Sequence, residues 1–256
     1  MPPSVYAPKD FKKLRAAGDL VARCFEFIAP SVVAGISTGQ INDMARQFLA
    51  ENGAKSACFG YQGFPKHICT SINDVIVHGI PSEDEFLKDG DIINIDLTAE
   101  LKGFYADSSR MFMIGKPKDD ARRLVETTLD CLNAAISVCG PGVPMSEIGK
   151  TVEAMATRAG YSVVRDFVGH GIGKTMHDDP MVYHYYDKSQ DKIKMIPGMV
   201  FTIEPMLNQG TEKCTMDADG WTCRTADGKL SAQWEHTIGI TEDGAIVFTE
   251  TQAITT

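Results

Sequence analysis

The chain has 256 residues, 43% of them hydrophobic and 23% charged, with a formal net charge of −9. That length suits one large domain or two small ones, and the acidic balance excludes a nucleic-acid platform, which carries clustered Lys and Arg. The seven cysteines, Cys24, Cys58, Cys69, Cys131, Cys139, Cys214 and Cys223, contain no Cys-x-x-Cys pair, so the usual structural-zinc and thioredoxin spacings are absent and free thiols in a reducing cytosol are the simplest account.

The start, Met1-Pro2-Pro3-Ser4-Val5-Tyr6, lacks an apolar signal core, and no run of about 18 apolar residues follows anywhere. A cytoplasmic protein without a membrane span is expected. From Asp10 to Ile28 the residues Phe11, Leu14, Val21, Phe25 and Ile28 make the stripe of an amphipathic helix. A second helix is predicted from Thr38, with Ile41, Met44, Ala45 and Phe48, stopping at Asn52-Gly53. Strand patterns follow at Asp74–Val77, Asp91–Leu97 and Phe104–Ile114. A third helix follows Pro117, and a fourth runs from Ser146 to a stop at Gly160. Two more strands, Val200–Glu204 and Gln233–Ile240, complete the pattern.

The pattern repeats. Gly35, Ile41, Ala45, Phe48 and Gly53 recur as Gly142, Ile148, Val152, Met155 and Gly160, 107 positions later. At an offset of 108, Gly90-Asp91-Ile92-Ile93-Asn94-Ile95-Asp96 aligns with Gly198-Met199-Val200-Phe201-Thr202-Ile203-Glu204, and both segments end on an acid. We read one α+β catalytic domain over 1–256, made of two related halves, about 31–140 and 141–250, after a short extension over 1–9. No Pro- or Ser-rich linker divides it.

The acids carry the chemistry. A turn centred on Glu100-Leu101-Lys102-Gly103 puts Asp96 directly across from Asp107, with Cβ atoms about 5 Å apart. Two facing carboxylates either lie on an edge open to water, share a proton, or hold a cation. Glu204 matches Asp96 in the second half, and Glu235 stands on its candidate partner strand. The wider interval there requires an extra loop of roughly 20 residues, about 208–230. Four acids would then converge between the halves. The segment Gly169-His170-Gly171-Ile172-Gly173-Lys174-Thr175-Met176-His177 adds two imidazoles in a glycine-rich loop. Four carboxylates and one neutral imidazole suit Mn, Fe(II), Co or Zn.

Six ordered segments resemble type I methionine aminopeptidases: Ile72-Asn73-Asp74-Val75-Ile76-Val77-His78-Gly79, 90–97, Ala106-Asp107-Ser108, 169–177, Phe201-Thr202-Ile203-Glu204-Pro205-Met206 and Ser231-Ala232-Gln233-Trp234-Glu235-His236-Thr237. The resemblance runs from about residue 9 to 250. It implies the pita-bread fold, a pseudo-twofold α+β architecture with a curved, mainly antiparallel sheet and helices on its outer face. It further implies two divalent metal ions held by Asp96, Asp107, His170, Glu204 and Glu235, with metal-activated hydroxide attacking the first peptide carbonyl. Glu204 would also relay a proton, and His78 and His177 would act as non-ligand catalytic histidines that touch the substrate.

Matching positions assign a methionine pocket to Cys58, Tyr61, Phe64, Cys69 and Trp221. Met176 stands where many bacterial relatives carry Phe, and Gln62 where they often carry His; both bear on the pocket's shape. The implied activity removes the N-terminal methionine of nascent proteins and peptides when the second residue is small. It would work on nascent chains, possibly at the ribosome, as a monomer with no direct contact to nucleic acid or membrane. Proline aminopeptidases and prolidases use a similar metal set but usually carry an extra N-terminal domain. A non-catalytic binding module on the same fold would have lost ligands, and here all five positions carry one.

Overall fold

The computed structural model describes residues 3–250. The chain begins α1 (Pro8–Ile28), α2 (Thr38–Glu51), β1 (Lys55–Ser56), β2 (Cys69–Ile72), β3 (Val75–Val77), β4 (Ile92–Leu101) and β5 (Phe104–Met113). It continues α3 (Asp119–Ser137), α4 (Ser146–Ala159), β6 (Ser162–Val163), β7 (Gly169–Gly171), β8 (Asp178–Val182), β9 (Val200–Ile203) and β10 (Met206–Asn208). It ends β11 (Cys214–Met216), β12 (Cys223–Thr225), β13 (Ser231–Gln233), β14 (His236–Thr241) and β15 (Gly244–Val247).

The four helices stand where periodicity places them, and their ends have local causes. Ser37 accepts from the Gln40 backbone N–H while the Gln40 side chain accepts from the Ser37 N–H, a capping box that starts α2. Gly160, left-handed at φ 84°, ends α4. The apolar stripes of α1 and α2 pack with Ile93, Ile95 and Leu97 of β4 in one core cluster. Those of α3 and α4 pack with Phe201, Ile203, Leu207 and Ile238 in another. Every strand pairing among the described residues is antiparallel.

The first hairpin corrects the predicted register. Leu101 pairs with Phe104, so Lys102 and Gly103 alone close the turn. Both have positive φ, 52° and 81°, as a type I′ hairpin turn requires, and that turn matches strand twist better than the four-residue one expected. Asp96 therefore faces Ser109 and Asp107 faces Thr98. The two acids are diagonal neighbours on one face, not direct partners.

In the second hairpin His236 faces Ile203 and Gln233 faces Met206. One register runs through both pairings, so Glu204 falls opposite Glu235, yet neither residue belongs to a strand. Pro205 has no N–H to give to a ladder, and the neighbouring acids send theirs elsewhere. Glu204 N–H donates to His184 Nε2 at 2.9 Å, and Glu235 N–H donates to Ser109 O at 3.1 Å. The strand predicted over Gln233–Ile240 is thus interrupted at Glu235, and the one predicted over Val200–Glu204 stops one residue short of its acid. Since Asp96 is matched to Ser109 while Glu204 is matched to Glu235, the acids of the two hairpins occupy different rungs. The expected 208–230 loop is also partly regular: β11 and β12 form a hairpin that pairs with β3.

Candidate active site

The two hairpins are stitched together beside their acids. Asn94 Nδ2 donates to Ser109 Oγ at 3.0 Å and to Gln233 O at 2.7 Å. Ser108 Oγ donates to Glu235 O at 2.6 Å, and the Asp107 N–H donates to Thr237 Oγ1 at 2.9 Å. These bonds draw Asp96, Asp107, Glu204 and Glu235 to the wall of one cavity of about 690 Å³. One donor atom each from Asp107, His170 and Glu235 lies within 4.8 Å of the others. His170 Nε2 is 3.8 Å from both Asp107 Oδ2 and Glu204 Oε1, and Asp96 lines the same cavity beside Asp107. All five predicted ligands therefore meet at one site.

Their protonation shows the strain of that gathering. Burial, the larger cause, and the neighbouring Asp107 push Asp96 and Glu235 well above the usual carboxylate range. Burial lifts Asp107 to about 6 and Glu204 to about 8. Glu204 is partly offset by Thr202 Oγ1, which donates to its Oε1 at 2.7 Å, and by Gln233 Nε2, which donates to Oε2 at 3.2 Å. Asp107 Oδ1 and Glu235 Oε1 are buried with no hydrogen-bond partner. Unsatisfied buried oxygen acceptors are costly, and a cation would use the lone pairs that no donor reaches. The donor set fits a hard or borderline divalent ion.

The imidazole is prepared for the same ion. His170 Nδ1 lies 3.0 Å from Gly171 O; a carbonyl only accepts, so Nδ1 carries the proton and Nε2 faces the acids with its lone pair free. Burial, then His177, hold His170 at about 3, so its short approaches to Asp107 and Glu204 are those of a neutral ring. Thr202 Oγ1 also accepts the His170 N–H at 3.0 Å, fixing both candidate ligands with one side chain.

His177 stacks edge-on against His170, ring centres 4.2 Å apart, and its Nδ1 is 2.9 Å from Tyr61 Oη. Gln62 Nε2 donates to the same Oη at 3.2 Å. With an Oη lone pair taken by that amide, the Tyr61 hydroxyl gives its proton to His177 Nδ1, leaving the ring proton on Nε2. Gln62, singled out from sequence as a departure, thus becomes part of a relay that sets the His177 tautomer. His78 sits at φ 59°, a left-handed conformation uncommon for a side-chain-bearing residue, and meets Phe167 at 5.3 Å and Trp221 at 6.2 Å between ring centres. Burial chiefly, and His177, lower it to about 4.

The residues predicted for the pocket lie together on one cavity. Cys58, Phe64 and Cys69 form a buried apolar cluster with Met176 and Trp221 packed on it, and Phe64 meets Trp221 edge-on at 5.1 Å. Tyr61 completes that wall of the cavity. Sequence reasoning missed Thr98, Phe167, His184 and the supporting roles of Asn94, Thr202 and Gln233. Asn94 stood on the Asp96 face by strand alternation, and Thr202 stands two residues before Glu204, so period two was the available signal for both. His184 lies in no motif and is found only through the fold.

Paired hairpins that bury carboxylates and a neutral imidazole around one point define a metallopeptidase active centre. Residues 12–242 match the profile of Metallopeptidase family M24. The chain is 48% identical to methionine aminopeptidase A of Synechocystis sp., over 94% of this chain and 95% of that one. It is 44% identical to methionine aminopeptidase of Escherichia coli strain K12, over 96% and 93%. Among solved structures it is similar to methionine aminopeptidase from Rickettsia prowazekii, at 44% identity and TM-score 0.94, over 96% of this chain and 99% of that one.

The chain belongs to the methionine aminopeptidases of metallopeptidase family M24. It is a hydrolase with the α+β pita-bread fold, and the carboxylate–imidazole cluster is its candidate metal site. A Xaa-Pro dipeptidase from Bacillus anthracis shares that fold at 22% identity and TM-score 0.78, but this chain covers only 62% of its length. The prolidase-like alternative is not favoured. Among the described residues no helix is long and apolar enough to cross a membrane.

Proposed function

We propose that this protein removes the N-terminal methionine of nascent proteins and peptides whose second residue is small. The observation that carries this reading is the cavity itself: it brings the five candidate ligands together with the buried apolar cluster of Cys58, Phe64 and Cys69. Asp96, Asp107, His170, Glu204 and Glu235 would hold two divalent ions, of Co, Mn, Fe(II) or Zn type. Bound there, such ions acidify water and polarise a carbonyl.

The chain's own groups do the rest. Glu204, beside the bound ions, can take a proton and return it to the leaving amine. The Nε2–H of His177, set by the Tyr61 bond, is a neutral donor for the carbonyl oxygen as charge grows on it. His78, neutral because burial holds it near 4, is placed to hold the scissile amide. Cys58, Tyr61, Phe64, Cys69 and Trp221 receive the methionine side chain, where sulfur and aromatic contacts favour a thioether. The carboxylates nearby receive the free α-amine, which restricts cleavage to the first bond.

The fold is read as one domain of two related halves, about 31–140 and 141–250, acting as a cytoplasmic monomer on nascent chains. The test is hydrolysis of a Met-Ala-peptide after chelation and after metal is restored. Activity should vanish and return. Hydrolysis that survives complete chelation refutes the reading.

A further inference from the structure

Cys58 and Cys69 stand at the two ends of one excursion from an edge strand. The chain runs antiparallel to β4 as far as Ala57, whose N–H donates to Thr98 O at 2.9 Å. It returns to the same edge of β4 at Cys69, opposite Asp96. The rung after Ala57 belongs to Leu97, next to Asp96, so the chain leaves at Cys58 and re-enters beside it. Adjacent rungs, about 3.4 Å apart along a strand, bring the Cα atoms within the ~7 Å that a disulfide spans.

The loop between them carries Tyr61, Gln62 and Phe64 of the cavity wall. Ser56 Oγ donates to His67 O across its neck at 2.6 Å. The two thiols meet there. They share one buried cluster with Phe64, and Cys58 Sγ also lies 3.8 Å from Thr98 Oγ1 on the Asp96 face. Both line the cavity, whereas Cys24, Cys131 and Cys223 are wholly sealed from solvent.

The geometry points to Cys58 and Cys69 as a modification site: a hydroperoxide entering the cavity oxidises them to an intramolecular disulfide that closes the neck of the pocket loop. In the first step the Cys58 sulfur attacks hydrogen peroxide; an S–O bond forms, the O–O bond breaks, and one water leaves with the thiol proton. The Cys69 sulfur then attacks Cys58; the S–S bond forms, the S–O bond breaks, and a second water carries off the Cys69 proton. Two electrons pass from the two sulfurs to the peroxide oxygens. Cys214 and Cys223 are also neighbours, diagonal across β11 and β12, but they lie outside the cavity that Cys58 and Cys69 line.

The experiment uses the full chain loaded with Zn²⁺, which has no redox chemistry of its own. After hydrogen peroxide and alkylation of the remaining thiols, trypsin cuts after Lys55, Lys66 and Lys88, giving peptides 56–66 and 67–88 with one cysteine each. The expected product is those two peptides joined, about 2 Da below their summed mass, with two of the seven thiols lost and both regained with dithiothreitol. In Cys69→Ser, Cys58 should stop at the sulfenic acid and be labelled by dimedone on peptide 56–66. The proposal is overturned if Cys58 and Cys69 remain alkylated while other thiols oxidise, if either goes to sulfinic acid unpaired, or if Cys58 joins another cysteine. Neither readout uses peptide hydrolysis, so its failure is separate from any failure of the proposed activity.

Discussion

Tyr61 and His177, 116 positions apart, are joined by a 2.9 Å hydrogen bond that decides which ring nitrogen of His177 keeps its proton. Tyr61→Phe removes the donor to Nδ1 and lets the proton move there, away from the substrate oxygen. One neutral hydrogen bond is worth about 1 kcal/mol, so kcat should fall about 5-fold while metal content stays constant. His177→Ala removes the oxyanion donor itself and should lower kcat by about 10²–10³, with KM moving less. Steady-state kinetics alongside metal analysis checks both. A kcat for His177→Ala within about 3-fold of the parent would end its assignment to the oxyanion.

His170→Ala should behave in the opposite way. Its Nε2 lies 3.8 Å from both Asp107 Oδ2 and Glu204 Oε1. The variant should bind metal more weakly, and excess metal should restore part of its activity. Titration calorimetry gives the affinity directly. Depleted metal in His177→Ala with normal metal in His170→Ala reverses the two roles.

Without metal, stability should fall as pH rises from 7 to 8. Glu204 is raised to about 8 by burial, against an ordinary 4.5, and Asp96 and Glu235 are raised well above theirs. In that window the unfolded chain has already released these protons and the folded chain still holds them. A raised folded value gives stability that is lost as pH climbs through it. The buried histidines are lowered by burial, so both states hold them neutral above pH 7 and they cancel. Calorimetric Tm of the chelated protein should therefore drop across this range. Metal removes the effect, because the ion replaces the protons. A chelated Tm that rises from pH 7 to 8 contradicts the site's protonation as described.

Substrate choice gives the last test. His78 and His177 line the same cavity as the candidate ligands, and a methionine peptide bound there would bring its second residue beside them. Peptides with Gly, Ala or Ser second should be cleaved, and those with Leu or Lys spared. Equal kcat/KM for Met-Ala- and Met-Leu-peptides is the outcome that sinks this specificity.

Much of this architecture could be read from sequence because it rests on local rules. The helix over 38–51 has its capping box in Ser37 and Gln40, and alternation along β4 put Asn94 and Asp96 on one face. The register of the first hairpin was misjudged by two residues, because the turn is centred one position later than expected. A two-residue turn at Lys102-Gly103 and a four-residue turn one position earlier both end on Gly103, and only strand twist separates them. The breaks at Glu204 and Glu235 were also out of reach, since they depend on hydrogen bonds to His184 and Ser109 from distant parts of the chain. The relay through Gln62 needed the left-handed φ of 46° that turns its amide towards Tyr61.

The bonds that tie Asn94 to Gln233 and Ser108 to Glu235 span 139 and 127 positions. During synthesis, then, the first hairpin waits with its acids while more than a hundred residues are added. Until Glu235 and Thr237 have left the ribosome, the growing chain can contain α1, α2 and the β4–β5 hairpin and still have no hydrolytic centre. The proposed chemistry would thus be out of a growing chain's own reach for nearly the whole of its synthesis, and any trimming of its first residue in that time would need a complete enzyme from elsewhere.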